Sequence, residues 1–327
     1  MILNLFYEEP EGDRWLPFDR YPRRIVRRVV RGPARPGGQK RVFLNLCAGL
    51  DRLRLPYRVN DYRHARKAPH ELACIIGKPC VLDKVVWQNP ILLGAAIYSH
   101  PIDDPGLFER LPVKQVLVPG PWYEDMYKPH WTCVQSWPVG IDTESWTVAP
   151  PSAKTVDVLV YDKVRWEHER YEAELIAPIG AALRKAGRSV EEIRYGSYEE
   201  DDFRAALSRA RSMIFLCEHE SQGIAYQQAL SCGVPILAWD RGGPWRDPSY
   251  YPERVVYGPV TSVPYWDARC GMKFTGAPDF EAAWRHFWEL VRDETYRPRD
   301  YILETLTLER RAREYYDIAQ NLSERSN

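Results

Sequence analysis

The chain has 327 residues, more than a single hydrophobic core usually serves, so two domains of roughly 150 residues each are expected. Its 45 Lys and Arg are matched by 45 Asp and Glu, which excludes a dedicated nucleic-acid binder and leaves any basic surface local. The seven cysteines, Cys47, Cys74, Cys80, Cys133, Cys217, Cys232 and Cys270, lie far apart with no C-x-x-C pair, so a zinc site and a disulfide framework are excluded and reduced thiols of a cytoplasmic protein are expected.

In chain order, MILNLFYEEPEGD has no basic stretch ahead of a long apolar one, and no apolar run anywhere approaches about 18 residues. Neither secretion nor a membrane span is expected. A first strand is predicted at Ile2–Phe6. Residues 20–41, RYPRRIVRRVVRGPARPGGQKR, then hold nine Lys or Arg and no acid. On a helix, Ile25, Val26, Val29 and Val30 form an apolar stripe flanked by Arg, which fits either a peripheral contact with an anionic membrane or a solvated helix packed on its own domain. A helix follows over about Lys40–Leu53, then strands at Tyr57–Asn60, Ala73–Ile76, Ile91–Ile97 and Gln115–Val118. Continuous apolar runs such as ILLGAAI suit strands covered on both faces of a parallel sheet.

From Trp137 to Lys154, WPVGIDTESWTVAPPSAK is rich in Pro, Ser and Thr and lacks periodicity, which marks the linker. It divides the chain into domains at 1–145 and 150–304. The second series has strands at Val156–Tyr161, Ile193–Tyr195, Met213–Cys217 and Pro235–Trp239, with helices at Arg170–Ala186 and Glu200–Ala210. Strands alternating with helices predict an α/β chain of two doubly wound domains. The segment Arg241–Gly276, rich in Tyr, Trp and Pro, is expected to be irregular and packed on the rim of the second sheet.

One stretch concentrates chemistry: EHESQGIAYQQALSCGVPILAWD, residues 218–240. Apolar SMIFLC ends where ligands bind in open parallel sheets, beyond the strand's carboxyl end. Ser221 and Gly223 open a helix that Gly233 and Pro235 close. Gly223 lets backbone approach a ligand, and the free N–H groups favour an anion such as phosphate. Gln228, eight residues after Glu220, is roughly 12 Å further along the axis, so both can face one elongated ligand.

At these residues the sequence resembles the retaining glycosyltransferases called "glycosyl transferases group 1" (family 4-like). Their signature is E-x7-E with a Gly-containing turn after the first Glu and a small-residue G-x-P tail; here it reads E-SQGIAYQ-Q followed by ALSCGVPIL. The resemblance implies a GT-B architecture, two Rossmann-like doubly wound domains facing a central cleft. It also implies a nucleotide-sugar donor and a glycan or lipid-linked acceptor, with no metal and no cofactor beyond that substrate. Glu220 would face the donor sugar, with Ser221, Gln222, Gly223 and Ile224 at the sugar or diphosphate and Gln228 at the ribose. Gln replaces the second Glu, so it keeps one acceptor oxygen and no charge. Other stretches are similar in order: KQVLVPGPWYEDMY before the linker, WPVGIDTESW as the hinge segment, CGMKFTGAPDFEAAW near the end of the second domain, and YILETLTLERRAREYYDIAQ as a terminal helix, about 305–327, crossing back onto the first domain.

Further residues follow from that resemblance. The leaving diphosphate calls for cations after the first strand of the second domain, and TVDVLVYDKVRW supplies Lys163 and Arg165. His100, at the end of a first-domain strand, would contact the donor sugar, and Gly12, Asp13 and Arg14 would face the cleft on the acceptor side. Two other readings fit the same pattern: a domain that binds nucleotide-sugar without turnover, suggested by Gln228, and a nucleotide-sugar epimerase.

Overall fold

The computed structural model describes residues 1–10, 37–95 and 97–326. Gly12, Asp13, Arg14 and the stripe Ile25, Val26, Val29 and Val30 lie outside the described residues. The chain forms two units, one of Met1–Pro119, Tyr127–Val139 and Glu309–Asn327, the other of Gly120–Met126 and Gly140–Leu308.

The first unit is built on β1 (Leu3–Phe6), β2 (Tyr57–Val59), β3 (Ala73–Ile75), β4 (Ile91–Leu93), β5 (Val113–Val118) and β6 (Val134–Ser136), in the order β2-β1-β3-β4-β5-β6. Every pairing is parallel. The central strands β1, β3 and β4 are buried at every residue, as covered parallel strands should be. Helix Gly38–Arg52 packs Val42, Phe43, Leu46 and Leu50 inward. The terminal helix Leu308–Ser326 begins in the second unit and runs through the first, where the Trp137 indole donates to the Arg311 carbonyl at 3.0 Å.

The second unit is built on β7 (Val156–Asp162), β8 (Val190–Arg194), β9 (Ala210–Leu216), β10 (Ile236–Trp239) and β11 (Gly271–Phe274), in the order β11-β10-β9-β7-β8, again all parallel. Alternate residues feed two cores. Leu159, Tyr161, Met213, Phe215 and Ile236 join Phe203, Leu207, Tyr226 and Leu230 on one face. Val158, Val160, Ile214, Leu216 and Leu237 join Leu175, Ile179, Phe280, Trp284 and Phe287 on the other. The sheet is therefore covered on both sides by helices, among them Ala177–Lys185, Glu200–Arg209, Ile224–Ser231 and Ala277–Arg292.

Several elements differ from the sequence reading. The strand expected to reach Ile97 stops at Leu93, after which Gly94 N–H makes a last bond to the Ile75 carbonyl at 2.9 Å. A helix not foreseen, Tyr62–Lys67, is capped by Asp61 accepting from His64 N–H at 2.9 Å. The segment after Arg241 is irregular for much of its length but ends in β11. The expected terminal helix is two, Pro298–Thr305 and Leu308–Ser326. It breaks because the Leu306 carbonyl takes the Ile141 N–H at 2.8 Å, and Ile141 and Thr307 form a parallel bridge. Backbones approach so closely there that a Cβ on Gly140 would lie 2.5 Å from Leu308 Cα. Among the described residues no helix is long and apolar enough to cross a membrane.

Candidate functional site

In the second sheet the chain leaves β7 towards β8 on one side and returns at β9 to proceed towards β11 on the other, so strand order reverses between β7 and β9. At such a reversal the loops diverge and leave a crevice beyond the carboxyl ends. Lys163 and Arg165 follow β7, and Glu218, His219 and Glu220 follow β9. Lys163 N–H donates to the Leu216 carbonyl at 2.7 Å, stitching the two ends together.

The structure brings Lys163 and Glu220, singled out separately in the sequence, into one ion pair whose side chains are only 14% and 7% exposed. Burial acts to lower the Lys163 ammonium, but Glu220, Cys217 and Tyr195 outweigh it and hold the group above its ordinary range. The ammonium also lies over the Tyr195 ring, 4.6 Å from its centre. Around Glu220 the backbone is fixed on both sides: its N–H donates to the Thr261 carbonyl at 3.0 Å, and its carbonyl accepts the Trp122 indole N–H at 2.8 Å. Thr261 is held in turn by Asp240, just after β10, which accepts from Thr261 Oγ1 and from Ser262 N–H, each at 2.8 Å.

Two neighbours that the sequence reading gave no role organise the rest. Buried Glu218 accepts the N–H groups of Arg165 and Trp166 through Oε1, at 2.8 Å each, and so clamps the basic loop. Among the described residues its Oε2 is buried without a hydrogen-bond partner. His219 is enclosed by Trp122, Trp166 and Trp245, with ring centres 5.5, 5.1 and 6.4 Å away. Its Nε2 accepts from the Trp245 indole at 3.1 Å and meets Arg165 Nη2 at 3.2 Å. Burial, with Arg165, Arg241 and Lys163 adding to it, holds the imidazole well below its ordinary range, so the ring is neutral.

Gly223 precedes helix Ile224–Ser231 with φ 74°, and a Cβ there would fall 2.0 Å from Tyr226 Cε1, so only glycine fits. Tyr226 cannot withdraw easily: it is buried in the core and its hydroxyl donates to the Tyr265 carbonyl at 3.1 Å. Gln222 is buried and its carbonyl accepts Gln227 Nε2 at 2.6 Å, while Ser221 and Ile224 are half-buried. Gln228 lies on the same helix, buried to 8% exposure. At the far end Arg299 caps the helix by donating to the Ser231 carbonyl at 2.6 Å.

His100 belongs to the first unit. Its Nδ1 accepts Ile102 N–H at 3.1 Å and caps the turn Pro101–Asp103, with its ring against His130 at 5.0 Å. Among the described residues no group of His, Cys, Asp or Glu is arranged to hold a metal ion. A carboxylate immediately after an apolar strand, as in SMIFLCE, is the sequence signal that could have singled out Glu218. Trp122, Asp240, Arg241 and Trp245 reach the cluster only through tertiary pairing.

No protein-family model matches the chain, and no curated protein does. Solved structures match it over almost its whole length. AviGT4, a glycosyltransferase involved in avilamycin A biosynthesis, is 14% identical over 98% of this chain and 97% of that one, with a TM-score of 0.57. WaaG, a glycosyltransferase involved in lipopolysaccharide biosynthesis, is 11% identical over 97% and 99%, with a TM-score of 0.53. Sucrose-phosphate synthase from Thermosynechococcus elongatus is 12% identical over 82% and 81%, with a TM-score of 0.52. The chain shares their fold, the two Rossmann-like domains of the GT-B architecture.

Proposed function

We propose that the chain is a retaining glycosyltransferase that moves a sugar from a nucleotide-sugar donor to a glycan or glycolipid acceptor and needs no metal. The observation that carries this reading is the Lys163–Glu220 ion pair at the reversal between β7 and β9, beside the glycine-opened helix. Topology of this kind presents a crevice, the helix start offers N–H groups to phosphate, and the paired carboxylate stands where a sugar ring would meet it.

In the proposed reaction the acceptor oxygen attacks the anomeric carbon on the face that the diphosphate leaves. The carbon–oxygen bond to the diphosphate breaks, the new glycosidic bond forms, and the acceptor's proton passes to the departing phosphate oxygen. Charge therefore accumulates on the leaving group, where Lys163 and Arg165 meet it. Glu220 orients the sugar and, through Lys163, keeps the cation directed inward, while Ser221, Gln222, Gly223 and Ile224 line the diphosphate and Gln228 takes the ribose. The protein would act in the cytoplasm, and residues 20–41 would bring the acceptor side to an anionic membrane. Salt-reversible sedimentation with anionic but not neutral vesicles tests that last part.

The test of the main reading is turnover. A panel of nucleoside diphosphates and their sugars is screened for thermal stabilisation, since a ligand stabilises only the state it binds. The best donor is then assayed with and without acceptors in wild type and Glu220→Gln, which keeps the side chain's shape. Sugar transfer that falls at least about tenfold in the variant, roughly 1.4 kcal/mol of transition-state stabilisation, supports the reading. A donor that binds and never reacts favours the binding-only reading, for which Gln228 in place of the family's Glu speaks. Product formed without acceptor favours the epimerase.

A further inference from the structure

The sheet register aligns Asp162 of β7, Leu216 of β9 and Trp239 of β10. Two or three residues beyond that line the three strands present, in order, Arg165, His219 and Arg241. Sequence reasoning had no reason to group them, because 76 positions separate the two arginines and their alignment depends on the sheet.

Lys163 is already committed to Glu220. Neither Arg165 nor Arg241 has a carboxylate within ion-pair distance among the described residues. Arg165 is exposed, its backbone clamped by Glu218 and its guanidinium stacked 4.4 Å from the centre of the Trp166 ring. Among the described residues, half-buried Arg241 donates only to the Pro244 carbonyl, at 3.3 Å, and its Nε is buried without a hydrogen-bond partner. Between them in the strand order, His219 cannot serve as counter-ion. Trp245 Nε1 and Arg165 Nη2 can only donate, so His219 Nε2 is an acceptor and the one ring proton resides on Nδ1. With Asp240, which is paired to Lys273 at 2.8 Å, the cluster holds four cations, Lys163, Arg165, Arg241 and Lys273, against three carboxylates, Glu218, Glu220 and Asp240, and among the described residues both cations without a carboxylate partner are guanidiniums.

We infer that Arg165 and Arg241 form an anion subsite for a diphosphate, each guanidinium forking onto one phosphate, so that Arg241 is a leaving-group residue additional to Lys163. A planar guanidinium presents two parallel N–H bonds that match phosphate oxygens, and two of them match two phosphates. Glu218 positions the first by fixing its backbone, and neutral His219 adds no charge to compete. The inference rests on the transferase reading for the source of the diphosphate but not for the chemistry of the subsite.

Calorimetric titration of inorganic pyrophosphate, and separately of uridine, adenosine and guanosine diphosphates, into wild type, Arg165→Gln, Arg241→Gln and Arg241→Lys tests it. Arg246→Gln, at a neighbouring exposed position, is the control. Expected is at least a tenfold loss of pyrophosphate affinity in each Gln variant, a smaller loss in Arg241→Lys, which keeps the charge without the fork, and none in the control, at unchanged unfolding midpoints. Wild-type pyrophosphate affinity in Arg241→Gln, or no pyrophosphate binding by wild type, overturns the subsite. Pyrophosphate bound through both arginines by a chain that transfers no sugar keeps the subsite and removes the transferase reading. Sugar transfer undisturbed by Arg241→Gln does the reverse.

Discussion

The two sheets share one strand order up to the fifth strand, yet the described residues that follow their first strands differ in charge. Beyond β1, at the reversal between β1 and β3, the chain places Tyr7, Glu8 and Glu9. Glu8 pairs with exposed Lys84 at 2.5 Å and accepts from the Tyr62 hydroxyl at 2.8 Å, and Glu9 accepts from Tyr7. Beyond β7, at the equivalent reversal, stand Lys163 and Arg165, with Arg241 two strands away. Among the described residues, one edge opens with two carboxylates, Glu8 being paired with a lysine; the other is built around a buried ion pair and two guanidiniums. The same topology thus supplies a crevice twice, and the first few residues after each strand decide what it can hold.

The comparison is most exposed to a test of its ion pairs. Lys163→Met leaves the Glu220 carboxylate buried without its cation, and denaturant unfolding should show a loss of roughly 3–5 kcal/mol. Lys84→Met removes a side chain 45% exposed from Glu8 and should cost at most about 1 kcal/mol. Equal losses would mean that the two edges are not different in kind. The glycine that opens the second edge comes next. Gly223→Ala adds left-handed strain to a clash with Tyr226, and about 2–4 kcal/mol of stability should go. Gly196, also at positive φ but with open space around it, should lose only about 1–2 kcal/mol as Ala.

A smaller effect depends on pH. The folded-state pKa of His219 is depressed, so its contribution is full above the unfolded value near 6.5 and is lost as pH falls from there towards the depressed value. Between about pH 6.5 and 5.5 wild type should lose up to about 1.4 kcal/mol that His219→Gln, whose amide oxygen can accept the same N–H groups, does not lose. Parallel pH profiles would show that the ring does not report the cations around it. Smallest of all, His100→Asn keeps an acceptor for Ile102 N–H and should cost at most about 1 kcal/mol while leaving turnover nearly intact. A tenfold fall in turnover would instead support the expected contact of the ring with the donor sugar.

Much of the fold was legible because buried parallel strands announce themselves as apolar runs: LNLF, ACI and MIFL lie in strands close to where they were read. The strands that escaped, β6 (VQS) and β11 (GMKF), are edge strands whose polar residues leave no such run. In the site, residues contiguous in sequence were easy to group, so 218–228 stood out as one knot. Lys163 was found through a charge requirement rather than through any signal of its contact with Glu220. Arg241, Asp240 and Trp245 stayed invisible because they enter through strand register and a returning loop, and register between parallel strands leaves no spacing in the chain.

Trp122 bears on how the molecule can be divided. The segment Gly120–Met126 precedes the second unit's main stretch by more than a dozen residues, yet it belongs to that unit, its indole bonded to the Glu220 carbonyl and its backbone carbonyl accepting the Tyr257 hydroxyl at 2.8 Å. A fragment or recombinant chimera that begins at Gly140 would carry Lys163, Glu220 and both arginines but leave that indole behind. The second unit is therefore not a transplantable module in the linear sense: an exchange that preserves its chemistry has to take residues 120–126 with it, from either parent, as a matched pair with the loop they hold.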